Sequence, residues 1–152
     1  MNYAIVLRLL SYILLTEGAL LLLPAVASLC YGEWFVMGVF LFTAALSALA
    51  GAMFHRVKAK SQIFYMREGF VTTALCWLLI SVVGAVPFVL TGCIPNPVDA
   101  LFETVSGFTT TGASILPAVA DLPKGILFWR SFTHWVGGMG VLVFLLSLLP
   151  LT

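Results

Sequence analysis

The sequence predicts an all-α membrane protein, in which an N-terminal transmembrane helical hairpin precedes one unit of helix, short helix, irregular segment and helix. Three observations carry this expectation. Of 152 residues, 62% are hydrophobic and only 9% are charged, with a mean hydropathy of +1.14. A water-soluble domain of this length has too much surface for its volume to hide so many apolar side chains, whereas a bilayer removes that cost. Four stretches are long enough to cross a hydrocarbon core of about 30 Å, which takes roughly 20 helical residues. Finally, the stretch between the third and fourth is too long for a turn and too apolar for a solvated loop.

The four spans fall at about residues 9–31, 35–54, 70–90 and 126–149. Gly32 and Glu33 leave room only for a tight turn between the first two, which are therefore expected to form an antiparallel hairpin. The first run is long, contains Glu17, lacks a clear small-residue cleavage site and is followed at once by another run, so it is expected to stay in the protein and not to act as a removable signal. Arg56, Lys58, Lys60 and Arg67 crowd the connection between the second and third spans, and Arg8 is read as preceding the first. The positive-inside rule then puts the N-terminus and this connection in the cytoplasm, with the Glu33 turn and residues 91–124 facing outward.

A net charge of +1 gives no reason to expect nucleic acid as a partner, since that requires a basic face. Cys30, Cys76 and Cys93 are odd in number, and the first two fall inside apolar runs, where thiols behave as small packing groups. Neither a disulfide framework nor a resident metal site is expected. No nucleophile paired with a base and no phosphate loop is found, and His55 and His134 stand far apart, so the sequence supports neither an enzyme nor a cofactor.

The outward stretch begins with a cluster of helix breakers from Thr91 to Pro97. Asn96 as cap, Pro97 at the first helical position and Asp99 in the first turn then form a helix start built from three independent preferences. The helix is expected over about residues 97–107, half of what is needed to cross. Immediately after it come Gly107, Phe108, Thr109, Thr110, Thr111, Gly112, Ala113 and Ser114, too small and hydroxylated to continue an apolar helix. Irregular backbone at membrane depth is allowed only where protein or a water-filled cavity surrounds it. The order of span, half-helix, Thr/Gly strand and span is thus the plan of a pore loop, with a re-entrant structural loop that conducts nothing as the other reading. A K⁺ ion stripped of water needs several oxygens at close range, and backbone carbonyls with Thr hydroxyls on an extended segment supply them. Glycine permits the backbone angles this requires, and the short helix would point the negative end of its dipole at the ion.

Arg67 to Phe70, Gly84 to Phe88, Asp99 to Ser114 and Trp129 to Gly140 together resemble the bacterial Trk/Ktr potassium transporters of the TrkH type. The ordered match covers about residues 67–150, and the first two spans agree in position and character. The resemblance implies a K⁺ channel-like fold of four similar units around one central pathway, so that residues 1–66 form the extra hairpin with its cytoplasmic connection and residues 67–152 the first unit. It also implies that Thr110, Thr111, Gly112, Ala113 and Ser114 line one quarter of a selectivity filter, with K⁺ held at Thr110, Thr111 and Gly112 and the pore helix supported by Asn96, Asp99 and Glu103. The implied partners are the lipid bilayer, the potassium ion, three remaining pore-loop units, a second full-length subunit in a dimer, and a cytoplasmic nucleotide-binding regulatory protein of the TrkA/KtrA type. The implied location is the inner membrane. Ser114 stands where a potassium-channel filter has glycine, which bears on selectivity between K⁺ and Na⁺. The alternative to cation transport is a truncated, non-conducting membrane fragment or a structural membrane subunit.

Individual residues carry further expectations. Glu103 either attracts cations to an outer vestibule or braces the filter by hydrogen bonding, and bracing is preferred. Arg130, beside Trp129 and Trp135, reads as an interfacial anchor reaching headgroups, with a positive group near the outer pathway as the functional alternative. Glu17, mid-span, reads as a packed or paired group, with a proton relay as the sharper alternative. Gly137, Gly138 and Gly140 read as a small-residue packing patch, with a hinge as the functional alternative, and Pro87 as a kink or helix end before a gate.

Overall fold

The computed structural model describes residues 3–57 and 66–148. Lys58 and Lys60, on which the orientation partly rests, lie outside the described residues, as do residues 149–152. Among the described residues the regular structure is α1 (Tyr3–Leu20), α2 (Leu22–Cys30), α3 (Trp34–His55), α4 (Met66–Leu90), α5 (Pro97–Phe108) and α6 (Lys124–Leu148). The fold is all-α, and among the described residues three apolar stretches are long enough to cross a membrane: Tyr3–Cys30, Trp34–His55 and Arg67–Leu90. The helix predicted at residues 126–149 is present as α6, 25 residues long.

The first predicted span proves to be two helices in series. Pro24 has no N–H to offer the carbonyl of Leu20, and the helix is interrupted there. Leu21 nevertheless keeps right-handed helical angles (φ −64°, ψ −16°) and donates its N–H to Glu17 O at 2.9 Å. α1 and α2 therefore make one apolar rod of 28 residues, about 42 Å at 1.5 Å per residue. Arg8 lies within this rod and not before it, a correction to its expected place. A rod longer than the hydrocarbon core extends its end turns into the interface, where the exposed Arg8 keeps its charge in a polar layer.

α1 packs on α3 by close backbone approach. A Cβ on Gly18 would meet Ala44 O at 3.1 Å, and one on Gly51 would meet Ser11 O at 3.0 Å. Ser47 adds a cross-helix hydrogen bond, its Oγ donating to Leu14 O at 2.7 Å. Small residues and short polar bridges are how helices associate in lipid, where burying apolar area gives no net drive.

The second half of the chain is organised around Trp129 on α6, which is 1% exposed. Its Nε1 donates to Gly84 O on α4 at 3.0 Å, and its ring meets Phe40 of α3 and Phe108 of α5 edge-on. Gly84 is small because Thr104, Phe108 and Trp129 all crowd the place a side chain would take. Pro87 lies in the last turn of α4, which ends three residues later.

Glu33, in the hairpin turn, reaches the start of α6. Its carboxylate accepts from Lys124 N at 2.7 Å and Gly125 N at 2.9 Å, satisfying amides that no helical partner can reach. This contact fixes topology: α3 and α4 lead away from the Glu33 turn and back, and since α6 begins beside Glu33, α5 and its return segment enter and leave on one side. α5, with 12 residues, is too short to do otherwise.

Candidate functional site

α5 starts as its sequence predicts. Asn96 Oδ1 accepts from Val98 N at 3.1 Å, Pro97 opens the helix, and Asn96 Nδ2 donates to Asp99 Oδ2 at 3.0 Å. The capping oxygen is thereby oriented by the residue three places on. One face of α5 (Ala100, Glu103, Thr104, Gly107) is buried, and Gly107 is required because Thr133 of α6 fills the space a side chain would take. α6 answers with Gly137, whose missing side chain makes room for the backbone of Phe108. The C-terminal turn of α5 is thus clamped directly against α6.

From this end the chain leaves as an irregular segment. Thr110 N donates to Gly107 O at 2.9 Å and Thr111 N to Ser106 O at 3.0 Å. Thr110 adopts φ +57° and Gly112 φ +76°, the left-handed region, with Thr111 between them outside it. The segment is held from behind at two points. Ser106 Oγ donates to Ala113 O at 2.6 Å. The carboxylate of Glu103, 2% exposed, accepts from Ser114 Oγ at 3.0 Å and from Ile115 N at 3.1 Å. Arg130 of α6 completes this group, its Nε donating to Glu103 Oε1 at 2.6 Å. A buried carboxylate with a cationic partner and two further donors is a satisfied charge, and its removal would leave the others unpaired. On the other side, Thr110, Thr111, Gly112, Ala113 and Ser114 are exposed along their length.

The residues singled out in the sequence are therefore brought together. Asn96 and Asp99 start the short helix, Glu103 accepts from Ser114, Ile115 and Arg130, and the five residues from Thr110 to Ser114 run in one segment from its end. The reading of Arg130 as a headgroup anchor is corrected: Arg130 turns inward to Glu103, and of its two Trp neighbours Trp129 is core while Trp135 is 59% exposed. Glu17 is also corrected in part, because it is buried, at 4% exposed, yet neither carboxyl oxygen has a hydrogen-bond partner among the described residues. The glycine patch divides, with Gly137 in obligatory contact and Gly138 and Gly140 with ordinary clearance. The Glu103–Arg130 pair, the Ser106 tether and the Glu33 cap lie beyond what the sequence predicts. Each joins residues distant along the chain or on different elements, and none leaves a local pattern in sequence.

A hairpin followed by helix, half-helix, tethered irregular segment and helix, with three of the described apolar stretches long enough to cross a membrane, defines a polytopic membrane protein. The family model TrkH, a cation transport protein, matches residues 36–152. The chain is 37% identical over 138 residues to an uncharacterized cation transporter of Methanocaldococcus jannaschii, covering 91% of this chain and 29% of that protein. It is 34% identical over 157 residues to the Trk system potassium uptake protein TrkH of Halomonas elongata, covering 99% of this chain and 31% of that protein. Its fold matches the crystal structure of the potassium transporter TrkH from Vibrio parahaemolyticus with a TM-score of 0.89 at 32% identity, over 99% of this chain and 32% of that one. The chain belongs to the TrkH family of cation transport proteins, and it spans about a third of the length of these relatives.

Proposed function

We propose that this chain is the N-terminal part of a potassium uptake transporter and that residues 110–114 form one quarter of its selectivity filter. The observation that carries the proposal is a segment tied from behind by Glu103 and Ser106 while its front stays exposed. Left-handed backbone at Thr110 and again at Gly112, with Thr111 outside that region between them, breaks the up-and-down alternation of carbonyls in a β-strand. Carbonyls from Thr110 to Gly112 can then gather on one side, as a line of ion ligands requires, while that of Ala113 is turned back to Ser106. The C-terminal end of α5 adds partial negative charge at the start of the segment.

Four such segments around one axis complete the coordination, so three further units supply the remaining ligands. The transporter acts in the inner membrane with its N-terminus in the cytoplasm, as a dimer of full-length subunits under a nucleotide-binding regulatory partner. The support is the family, the potassium-transporting role of two of its relatives and the resemblance of the motifs. Ser114 also anchors the outer end of the segment, because its hydroxyl is engaged by Glu103 where a glycine would leave the backbone free.

The test is made in the full-length transporter, expressed in a host that lacks its own K⁺ uptake. Gly112→Asp is expected to abolish K⁺-dependent growth and rubidium influx with the amount of protein in the membrane unchanged. Normal influx would refute the filter and favour the structural, non-conducting reading.

A further inference from the structure

Ser106 is buried on α5, 4% exposed, and it holds the irregular segment through both of its oxygens. Its backbone carbonyl accepts from Thr111 N at 3.0 Å and from Gly112 N at 3.5 Å. Its hydroxyl donates to Ala113 O at 2.6 Å. Two of these bonds draw N–H groups back to the helix, and the third draws back a carbonyl.

Peptide planarity turns that difference into direction. In a trans peptide the C=O of one residue points opposite to the N–H of the next, and the described residues contain no cis bond. With the amides of Thr111 and Gly112 drawn back to Ser106, the carbonyls of Thr110 and Thr111 lead away from α5. Further along the sense reverses: Ala113 O is drawn back, so the N–H of Ser114 leads away in its place. The exposed side of the segment thus offers oxygens at its start and an amide hydrogen at its outer end, and the positive end of that dipole opposes a cation. A second lock lies in Ser114 itself. Turning the peptide between Ala113 and Ser114 over would rotate φ of Ser114 by about half a turn. That angle is negative, since among the described residues Thr110 is the only non-glycine at positive φ, and the rotation would carry it toward the left-handed region that glycine tolerates and serine resists.

We infer that Ser106 and Ser114 determine ion specificity by closing this unit's line of carbonyl ligands after Gly112, Ser106 by holding the Ala113 carbonyl and Ser114 by withholding the backbone angle that the reversed peptide needs. Both are positioning residues, acting on the ion through the Ala113 peptide. The inference rests on the proposed cation pathway and adds which carbonyls face it. The number of carbonyls around an ion bears on the choice between K⁺ and Na⁺, and a unit that withholds one leaves a weaker outer site. Removing the Ser106 hydroxyl leaves in place its carbonyl's bonds to Thr111 and Gly112 and the tether from Glu103 to Ile115, so the segment stays held while the Ala113 carbonyl is released.

The experiment measures rubidium and sodium influx in membrane vesicles holding the full-length transporter, with the amount of protein in the membrane as control. Ser106→Ala and Ser114→Gly are each expected to change the ratio of rubidium to sodium influx little, because the other lock remains, and the double variant to raise it severalfold. Ser106→Thr combined with Ser114→Gly, which keeps a hydroxyl at position 106, is expected to return the ratio to that of Ser114→Gly alone. A double-variant ratio that is unchanged, lowered or no greater than the product of the two singles would overturn the inference, since a merely structural role moves both fluxes together. A ratio that stays raised with Thr at 106 overturns it too, and so does loss of Ser106→Ala from the membrane, which would reduce the hydroxyl to a structural tether. Gly112→Asp separates the two readings. Abolished influx there, without coupling between Ser106 and Ser114, refutes only the locks, whereas normal influx in Gly112→Asp refutes the cation pathway itself.

Discussion

At Gly112 the obstacle to any other residue is conformational, not steric. A Cβ there would meet nothing within 4 Å, but φ is +76°, where an L side chain costs about 1–2 kcal/mol. Gly112→Ala is therefore expected to reduce influx in the full-length protein through altered backbone, and Gly112→Asn to reduce it less, since Asn tolerates left-handed angles. Equal loss in both would show that side-chain bulk matters instead. Glu103 presents the opposite case, a residue defined by its contacts. Replacing it by Gln removes the charge facing Arg130, and breaking such a pair is expected to cost about 3–5 kcal/mol. The double variant Glu103→Gln with Arg130→Met should cost less than the two singles together, because the orphaned cation is gone; additive losses in thermal unfolding would contradict the pairing. Glu103 is legible as a brace because it sits on a short helix next to a Thr/Gly run. Its partner is not, because a lone Arg beside two Trp residues near a helix end has the composition of an interfacial anchor, and only α5 packed alongside reveals the carboxylate it meets.

Among the elements, α5 is the most legible and α1 the least. Asn96, Pro97 and Asp99 are local signals, each acting within four residues, and the helix they start runs from 97 to 108 against the expected 97–107. Asn96→Ala is expected to cost about 1 kcal/mol, with Asn96→Asp close to neutral, read as the Tm of the purified transporter. The break near Leu21 escapes a sequence reading because Pro24 is embedded among apolar residues, and a continuous apolar run carries no mark of where its hydrogen bonds are interrupted. Glycine spacing on α6 reads as one patch, yet the three positions differ in what they touch. Gly137→Ala would drive a methyl into the backbone of Phe108, whereas the nearest atom to a Cβ at Gly140 is Trp77 Cη2 at 3.9 Å. Gly137→Ala is expected to lower folded yield severalfold and Gly140→Ala to leave it nearly unchanged. Similar yields for both would remove the clamp between α5 and α6.

At the scale of the whole molecule, hydropathy and the tight turn at Gly32 and Glu33 are enough for the order of helices, because membrane thickness fixes their length and short connections make neighbours antiparallel. The sidedness of the chain is a separate matter, resting on basic residues, and it is open to direct measurement. Single cysteines at Gly32 and Asp121, in a background with the native cysteines replaced, are expected to react with an impermeant maleimide from outside intact cells. One at Arg56 should react only after permeabilisation, and the reverse pattern would invert the molecule. What no linear reading supplies is the bond between residues 33 and 124, since a carboxylate that caps a helix 91 positions away has no sequence signature at either end.

That bond also orders events in time. Glu33 and the hairpin around it are synthesised before Lys124 and Gly125 leave the ribosome, so when α6 enters the bilayer its first amides meet an acceptor already in place. The hairpin thus serves the nascent chain as a docking post for the start of α6, and a chain made without it would have to find that position unaided.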